Sequence, residues 1–569
     1  MAESATSLLK RHAALKAQAG PYWQVCQEIA ERVVPHKSDI TVTREPGADK
    51  TDVLYDSTAI DACRTLAAMI HGTMTPSTQP WISFVMREDT LNEDQSVREW
   101  LEDVSVRLHK ALRQANFNSA VHELYWDLCA FGTGCMLIEE KEADPTGRFT
   151  GFRFTTVAVG KFVLTEDKDG RADGCWRDVV LSRRAVLEQF GADAVGADFV
   201  AKSKGKLDEM ITVVHAVYPR RDRAYDQATG RPKAGSTNLP WVSCYALQEP
   251  KKILSESGYE EFPYVIPRWN KTTGEVYGTG PSHTALPDIK TLNAFVMFIL
   301  QAVPMAMQPP TMERSDSVVG DPDLTPAGRN VVDASGPIGE AFAFMDTKYR
   351  PDIAADFRAQ WSESIRQMYH IQEVRPLPDS PNRTATEQAI RYELSQRLLG
   401  PTTGRLESEL LNPGTWRCFA LMARRQAFRP LPGVLQQAAG EGSSAADLDV
   451  EYEGPLARAQ RTVEITAQDR VVAFVVGYAT AIAAISPAAA QAALDILKID
   501  KMTRDRQAIT GLTADSLASD EEMQGIRDAR AQAAAQQQRL DALVKATEAA
   551  RNTAPMMTAL QKPGQGKAA

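Results

Sequence analysis

The chain has 569 residues, of which 43% are hydrophobic and 24% are charged, and its formal net charge is −9 at pH 7. These proportions are typical of folded globular proteins and argue against wholesale disorder or a fibrous repeat. The length predicts several structural units. Because surfaces that grip nucleic acid depend mainly on Lys and Arg, the acidic balance argues against a protein that reads DNA sequence.

Secretion, membrane insertion and metal binding are not expected from the sequence. The amino terminus carries Lys10, Arg11 and Lys16 within a helical pattern, unlike a signal peptide. The most apolar stretch, residues 294–307, is shorter than the roughly 20 residues of a membrane span. Seven scattered cysteines without a CxxC pair predict reduced, buried thiols. Eight dispersed histidines, with no HExxH pattern, predict no metal site.

The first 131 residues predict helices, and the next segment predicts strands. Helical periodicity over residues 8–34 has an expected break at Gly20-Pro21, and further helices are predicted at 58–75, 92–115 and 119–131. Short β-branched segments bounded by turns follow, with a hairpin turn at 167–170. The predicted strands are 152–159, 162–167, 175–182, 210–218 and 241–247.

The second half of the chain predicts mainly helix. Helices at 287–308 and 354–372 bracket a stretch punctuated by Pro and Gly, and residues 374–386 contain three prolines that favour a loop. A long helical pattern begins at Thr384 or Thr386, with a kink expected at Gly400 and Pro401. A capping box at 519–522 predicts a helix over 520–552, which Pro555 should end before a disordered tail.

Motifs for catalysis and nucleotide binding are incomplete. Gly160-Lys161 is followed by Phe162 and lacks the upstream glycine of a Walker A loop, so ATP hydrolysis is not expected. The segment GTGP at 278–281 does not have the spacing of a dinucleotide loop. Ser282 and His283 are adjacent without a GxSxG elbow. No catalytic residue and no cofactor are therefore predicted.

Two groups of basic residues allow more than one interpretation. Arg375 and Arg383, in the proline-rich loop, could contact phosphate, or they could be solvated or paired with local acids. Arg424, Arg425 and Arg429 near a helix end could likewise bind an anion or interact with the helix dipole.

Four segments, in order along the chain, carry a family resemblance. They are YDSTAIDACRTLAAMIHGTMTPSTQPWISF (55–84), YGTGPSHTALPDIKTLN (277–293), RTATEQAIRYELSQRLLGPTTGRLESELLNP (383–413) and EYEGPLARAQR (451–461). Together they resemble the head-to-tail connector, or portal, family of T7-like podoviruses. One local departure is Gly414, where an apolar residue is expected.

The resemblance implies an α+β portal fold, mainly helical with a β-rich wing and clip, whose copies form a ring around a central channel. It further implies a division into a wing, a stem, a clip, a tunnel loop facing DNA, a crown and a C-terminal helical barrel. The tunnel-loop positions are Arg375, Asp379, Ser380, Asn382 and Arg383. The implied parts are the wing at 1–280, stem helices at 281–308 and 354–373, the clip at 309–353, the tunnel loop at 374–383, the kinked wing helix and return at 384–460, the crown at 461–519, the barrel helix at 520–553 and a tail at 554–569.

The resemblance also implies a function and partners. A portal is a homo-oligomer, typically of twelve subunits, at the unique capsid vertex of the virion, through which double-stranded DNA passes non-specifically during packaging and ejection. Expected partners are the large terminase, the tail adaptor, the major capsid and scaffolding proteins and internal core proteins, with assembly in the host bacterial cytoplasm and no membrane. The acidic balance suits a conduit, because strong phosphate pairing would slow sliding DNA.

Two other hypotheses remain open from the sequence. Another structural virion protein, such as a tail nozzle or an internal core protein, would also be acidic and helical and would lack catalytic motifs. An enzyme of DNA processing is a third alternative, which the incomplete catalytic motifs disfavour.

Overall fold

The structure is a computed structural model that describes residues 4–45, 47–92, 94–141, 147–225, 232–315, 323–333, 342–344, 351–371, 400–440, 448–452, 469–481, 502–503 and 520–560. The chain divides into two compact units. The first comprises Met1–Ile82, Val106–Phe428 and Tyr452–Leu456, and the second comprises Ser83–Ser105, Arg429–Glu451 and Ala457–Ala569.

Helices and strands both contribute to the fold, as the sequence predicts for an α+β protein. The helices are α1 (Ala5–Val33), α2 (Thr58–Met74), α3 (Asp89–Asn92), α4 (Gln95–Gln114), α5 (Phe117–Phe131), α6 (Arg183–Phe190), α7 (Ala192–Val195), α8 (Ala197–Ser203), α9 (Pro281–Met307), α10 (Pro351–Met368), α11 (Asn412–Arg424), α12 (Gly433–Gly440) and α13 (Asp520–Leu560). The strands are β1 (Ile82–Met86), β2 (Met136–Glu140), β3 (Phe152–Thr156), β4 (Phe162–Glu166), β5 (Ala172–Ser182), β6 (Met210–Pro219), β7 (Trp241–Leu247), β8 (Lys252–Tyr259), β9 (Tyr264–Val265), β10 (Thr311–Ser315), β11 (Arg329–Asp333), β12 (Phe342–Phe344) and β13 (Leu448–Tyr452).

Helix α1 is continuous, so the predicted break at Gly20-Pro21 is wrong. Pro21 lies inside the helix, where a proline costs roughly 3 kcal/mol because it removes a backbone donor and crowds the preceding turn. The residues that follow it are held by tertiary contacts. The Tyr22 hydroxyl donates to the Phe131 carbonyl at 2.6 Å, and Trp23 is buried. Packing therefore offsets the local penalty.

A five-stranded antiparallel sheet in the first unit has the order β4-β5-β6-β7-β8, so that consecutive strands are neighbours. The predicted strands in this region and the turn at 167–170 are confirmed, and Gly170 has a positive φ of 75° in that turn. Strand β8 was not predicted from the sequence. It is an edge strand with a single fully buried side chain, Leu254, so it carries no clear apolar alternation.

Three short helices, α6 to α8, cover one end of this sheet, and the sequence did not predict them. They are brief and bounded by Gly191 and Gly196, both with positive φ, so none is long enough for a periodic pattern. Together with the strands they form a small apolar core of Val186, Val195, Phe199, Val213, Leu247 and Leu254.

A second sheet of the first unit has the order β3-β2-β9. It lies next to Gly414, the residue at which the sequence departs from the family pattern. Gly414, in α11, faces Ile138 and Val265, and a Cβ added there would lie 3.8 Å from the first and 3.9 Å from the second. The missing side chain therefore leaves an apolar gap in this part of the core.

Helices α9 and α10 form an antiparallel-type pair joined through residues 308–350. Phe295 and Phe357 meet edge to face with ring centroids 6.2 Å apart, and Ser364 donates a hydrogen bond to Asp288 at 2.8 Å. The described part of the connection forms a sheet of order β11-β10-β12, in which β10 and β11 are parallel. The stretch punctuated by Pro and Gly thus contains three short strands among its described residues.

The second unit contains α3, α12, a helical segment at 469–481, the long helix α13 and parts of β1, β13 and α4. Helix α13 has 41 residues and is about 60 Å long at 1.5 Å per residue. It continues past Pro555 to Leu560, so the predicted stop at Pro555 is wrong and residues 554–560 are helical, while 561–569 lie outside the described residues.

Candidate functional site

The predicted tunnel-loop residues, Arg375, Asp379, Ser380, Asn382 and Arg383, all lie outside the residues that the structure describes. The same holds for the segment before Gly400 and Pro401, which leaves the predicted kink untested. Residues 400–406 are helical, and a π-helical turn at Glu407–Leu411 follows them. The part of the candidate site that the structure describes is therefore the pair of helices α9 and α10 and the core that packs against the base of this pair.

The base of the helix pair is fixed by a buried polar junction. Ser282, at the start of α9, donates to the Cys129 carbonyl at 2.9 Å and lies 2.6 Å from the hydroxyl of Tyr369, just after α10. Tyr369 is fully buried, and burial raises the pKa of its hydroxyl well above the ordinary value. His370 then adopts a left-handed backbone with φ of 56°. The junction sets where the chain leaves α10 for the predicted loop.

A close backbone approach holds the start of α9 against the end of α5. Gly132 ends α5 with φ of 73°, and the backbone of 278–280 passes so close that a Cβ at Gly132 would lie 2.4 Å from the Gly280 nitrogen. Thr133 accepts a hydrogen bond from the Gly278 amide at 2.8 Å. The glycines of the YGTGP motif therefore serve backbone packing, which agrees with the rejection of a dinucleotide loop.

Two of the four family segments interlock through Asn293. Its side-chain oxygen accepts from the amides of Tyr55 at 2.7 Å and Asp56 at 3.2 Å, and its amide donates to the Val53 carbonyl. Asp56 in turn accepts from the Thr58 amide at 2.8 Å as α2 begins. The side chain of the final Asn of ALPDIKTLN, inside α9, thus holds the turn that contains the YDST start.

The third segment enters the same core through a buried ion cluster. Arg268 is 2% exposed, and its guanidinium and backbone amide donate to Glu409 at 2.8 to 3.2 Å. The guanidinium also pairs with Glu166, which Lys271 contacts as well. Sequence reasoning missed Arg268 because it lies outside the four segments, although Glu409 lies inside the third.

Beyond this core, the end of α9 and the beginning of α10 expose apolar side chains. No ionisable residue occurs in α9 after Lys290. Phe298 is 59% exposed and Met307 is 78% exposed, and Phe357 on α10 is 48% exposed. A large exposed apolar surface is typical of a binding interface in the assembled state.

By length and composition alone, helix α9 is long and apolar enough to span a membrane. Its most apolar stretch has a mean hydropathy of 1.5. The helix begins at Pro281, six residues before the start at 287 that periodicity predicts. Its first half is packed in the core through Leu286, Ile289, Leu292 and Val296. The remaining part, 297–307, is about 16 Å long, which is shorter than the roughly 30 Å hydrocarbon core of a bilayer.

The basic cluster near the end of α11 pairs with carboxylates. Arg424 contacts Glu260 and Glu261, and Arg425 binds both oxygens of Glu140 at 3.0 and 3.1 Å. Within the second unit, Arg429 lies 3.3 Å from Asp103. These partners favour the interpretation as local ion pairs over an anion site. Among the residues that the structure describes, no group of His, Cys, Asp and Glu could hold a metal ion.

Two buried histidines make the fold sensitive to acid. His215 lies between Tyr264 and Ser243 at 2.8 and 3.0 Å, and burial lowers its pKa well below the ordinary value, with Arg177 adding to the effect. Burial lowers the pKa of His283, at the start of α9, to about 4. Both rings are therefore neutral in the folded chain at pH 7.

We expect the free energy of unfolding to fall as the pH drops below about 6.5, the pKa of an unfolded histidine. Below this pH the histidines of the unfolded chain become protonated while the buried rings of the folded chain stay neutral. The contribution of the neutral buried rings to the free energy of unfolding, which is complete above pH 6.5, is therefore lost as the pH falls towards 4. The lowered pKa of His283 alone contributes about 3 kcal/mol to the free energy of unfolding at pH 7. Urea unfolding at pH 7 and pH 4.5 should show a smaller pH effect for His283→Gln than for the wild type. An equal pH effect in both would contradict the assignment.

The described part of the chain thus combines a packed core, a turn closed by Asn293 and a helix pair with exposed apolar side chains. Residues 5–517 match the model of the family described as "Bacteriophage head to tail connecting protein", and the chain belongs to this family.

Two relatives cover nearly the whole chain. The "Probable portal protein" of Bordetella phage BPP-1 is 28% identical over 91% of this chain and 88% of its own length. The "Portal protein" of Salmonella phage epsilon15 is 26% identical over 93% of this chain and 91% of its own. The alignment with a solved structure described as "Neck of empty GTA particle computed with C6 symmetry" covers 73% of this chain and 90% of the solved chain at 10% identity, with a TM-score of 0.34.

Proposed function

We propose that this chain is a portal protein whose copies form a closed ring, typically of twelve, around a channel for double-stranded DNA. The ring would sit at the unique vertex of the capsid, where the genome enters and leaves, and would catalyse no reaction. Membership of the connecting-protein family supports this, as do two relatives named portal proteins that align with more than nine-tenths of the chain.

The exposed apolar part of the helix pair is the observation that carries the proposal. Phe298, Leu300 and Met307 on α9 and Ile353 and Phe357 on α10 are each more than two-fifths exposed. Burying such side chains is worth about 1.5 to 3 kcal/mol each, so an isolated subunit forgoes a large stabilisation. In a ring, each subunit presents this surface to its neighbours, and rotational symmetry repeats the contact until it closes.

We assign the parts implied by the family resemblance to elements described above as part of the same proposal. The proposed stem helices are α9 and α10, and the clip is the connection that contains β10 to β12. Helix α13 is the proposed barrel helix, because Ile526, Leu540 and Leu543 are exposed and fall on a and d positions of one heptad register. The wing, crown and tunnel loop keep the ranges given in the sequence analysis.

The proposed partners are those of a packaging vertex. The clip would receive the large terminase during packaging and the tail adaptor afterwards, and the wing and barrel would contact capsid, scaffolding and internal core proteins. Assembly would take place in the host bacterial cytoplasm. A tail nozzle or internal core protein remains the alternative, and no feature of the described residues favours it.

Electron microscopy of the purified chain tests the ring. We expect a closed ring with a central hole wide enough for a DNA duplex. Replacing Phe298 and Leu300 with Ser should shift the protein to monomers in sedimentation analysis, because the exposed apolar contact is lost. Val180→Ser, at an exposed residue of β5, is the matched control. A wild-type chain that stays monomeric, or a ring without a hole, would contradict the proposal.

The loop at 374–383 is the proposed contact with DNA in the channel. Arg375 and Arg383 would make transient phosphate contacts that hold the genome against leakage. We expect Arg375→Ala combined with Arg383→Ala to leave ring assembly intact and to reduce the fraction of particles that retain a full genome. Packaged DNA length and DNA release from purified particles measure this. Unchanged retention would reject the role of these two residues and leave the ring proposal standing.

A further inference from the structure

A π-helical turn divides the helix that runs from residue 400 to Arg424. Residues 400–406, the arm, are α-helical, the turn spans Glu407–Leu411, and α11 continues from Asn412. A π-turn accommodates one extra residue, and its hydrogen bonds reach one residue further along the chain than those of an α-helix. Helices often bend sharply at such turns, because the regular backbone ladder is interrupted there.

The two sides of the π-turn differ in how they are packed. In the arm, Leu406 is buried and the other residues are exposed or half-buried. On the core side, Glu409 accepts three hydrogen bonds from Arg268, and Asn412 accepts one from the Tyr452 hydroxyl at 2.6 Å. The buried residues of α11 are Thr415, Arg417, Cys418, Leu421 and Met422. The core therefore holds α11 more firmly than it holds the arm.

Side-chain hydroxyls bond to backbone carbonyls in the arm and at its junction with the π-turn. The Thr403 hydroxyl donates to the Gly400 carbonyl at 2.9 Å, and the Ser408 hydroxyl donates to the Arg405 carbonyl at 2.9 Å. Such bonds compete with the helical ladder and often bend helices. The buried Nη1 of Arg405 has no hydrogen-bond partner among the residues that the structure describes. The arm is thus less completely bonded than a regular helix.

An apolar cavity of about 20 Å³ lies beside the π-turn, and both Leu410 and Leu411 line it. Gly414 also lines it, and a Cβ added there would lie 3.8 Å from Ile138, which is an ordinary contact distance. Thr415, a further lining residue, has a buried hydroxyl without a partner in the described part of the chain. Because close-packed cores resist displacement, this gap gives the two leucines room to shift when the helix bends.

We propose that the π-turn at Glu407–Leu411 is a hinge, at which the arm changes its angle to α11 while α11 stays packed in the core. A few residues within or at the end of an element commonly absorb such a change. The hinge lets the chain that precedes residue 400 be repositioned without unpacking the first unit. It belongs to the single chain and does not depend on formation of the ring.

Hydrogen–deuterium exchange of the full-length assembled protein, measured by mass spectrometry, tests the hinge. We expect the amides of 400–411 to exchange at least about tenfold faster than those of 412–424, because the arm opens locally and not with the whole core. Low concentrations of urea should leave this faster exchange unchanged, since a local opening exposes little surface. Exchange rates of the two segments within about twofold of each other would overturn the proposal.

Gly414→Ala separates a hinge from a helix end that merely frays. The added methyl group fills the gap on the core side of the π-turn, so we expect it to slow exchange throughout 400–411 by at least about threefold. The matched control is Gly404→Ala, which gives the same gain in helix preference inside the arm, where an added Cβ meets nothing within 4 Å. We expect this control to leave exchange at 407–411 unchanged. Absence of slowing in Gly414→Ala, or equal slowing in both variants, contradicts the hinge.

Discussion

Replacing Glu409 with Ala is expected to lower the free energy of unfolding by about 3 kcal/mol, because it removes the acceptors of three of the six hydrogen bonds that the buried Arg268 donates. Glu409 accepts three hydrogen bonds from Arg268, which is 2% exposed. Glu166 still pairs with the guanidinium in this variant. The expected loss of stability is therefore near the lower end of the range for breaking a buried ion pair. Urea unfolding followed by tryptophan fluorescence measures the change.

A double variant separates the cost of an unpaired charge from the loss of a favourable contact. Arg268→Met combined with Glu409→Leu should cost less than Glu409→Ala alone, since no charge remains without a partner. The control is Glu28→Ala, which breaks the ion pair of Glu28 with Lys290 where both side chains are nearly half exposed. We expect this control to change stability by less than about 1 kcal/mol. A similar loss in Glu28→Ala and Glu409→Ala would contradict the burial argument.

Gly132→Ala is expected to prevent the first unit from folding, with a loss above about 4 kcal/mol. The position needs φ of 73°, which L residues rarely adopt, and an added Cβ would lie 2.4 Å from backbone atoms of Thr279 and Gly280. Neither backbone can withdraw, because Thr133 and Ser282 hold the segment on both sides. The soluble fraction on expression and the melting temperature of any soluble protein measure the effect.

Gly72→Ala is the matched control for this change. Gly72 lies inside α2, and a Cβ added there meets nothing within 4 Å. Because alanine favours helix over glycine by about 1 kcal/mol, we expect unchanged or slightly raised stability. Soluble, stable Gly132→Ala protein would show that the approach of α5 to the 278–280 backbone is not essential.

Much of the regular structure could be predicted from periodicity. Four helices of the first 131 residues and five strands before residue 248 follow from it, because their side chains alternate or recur with the buried face of the element. The continuous course of α1 through Pro21 could not be predicted, since contacts of Tyr22 and Trp23 with distant residues offset a local penalty. Edge strand β8 and helices α6 to α8 lack a periodic signal.

The sequence by itself determined the family, because four ordered segments between residues 55 and 461 carry its pattern, and it placed the proposed contact with DNA in the loop at 374–383. Only the tertiary structure decided what the described family residues do. Asn293 with the turn at 53–56, Gly132 with Gly280, and Arg268 with Glu409 are each more than 100 residues apart. Pairing over such separations depends on how the whole core packs, and local sequence patterns contain no record of it.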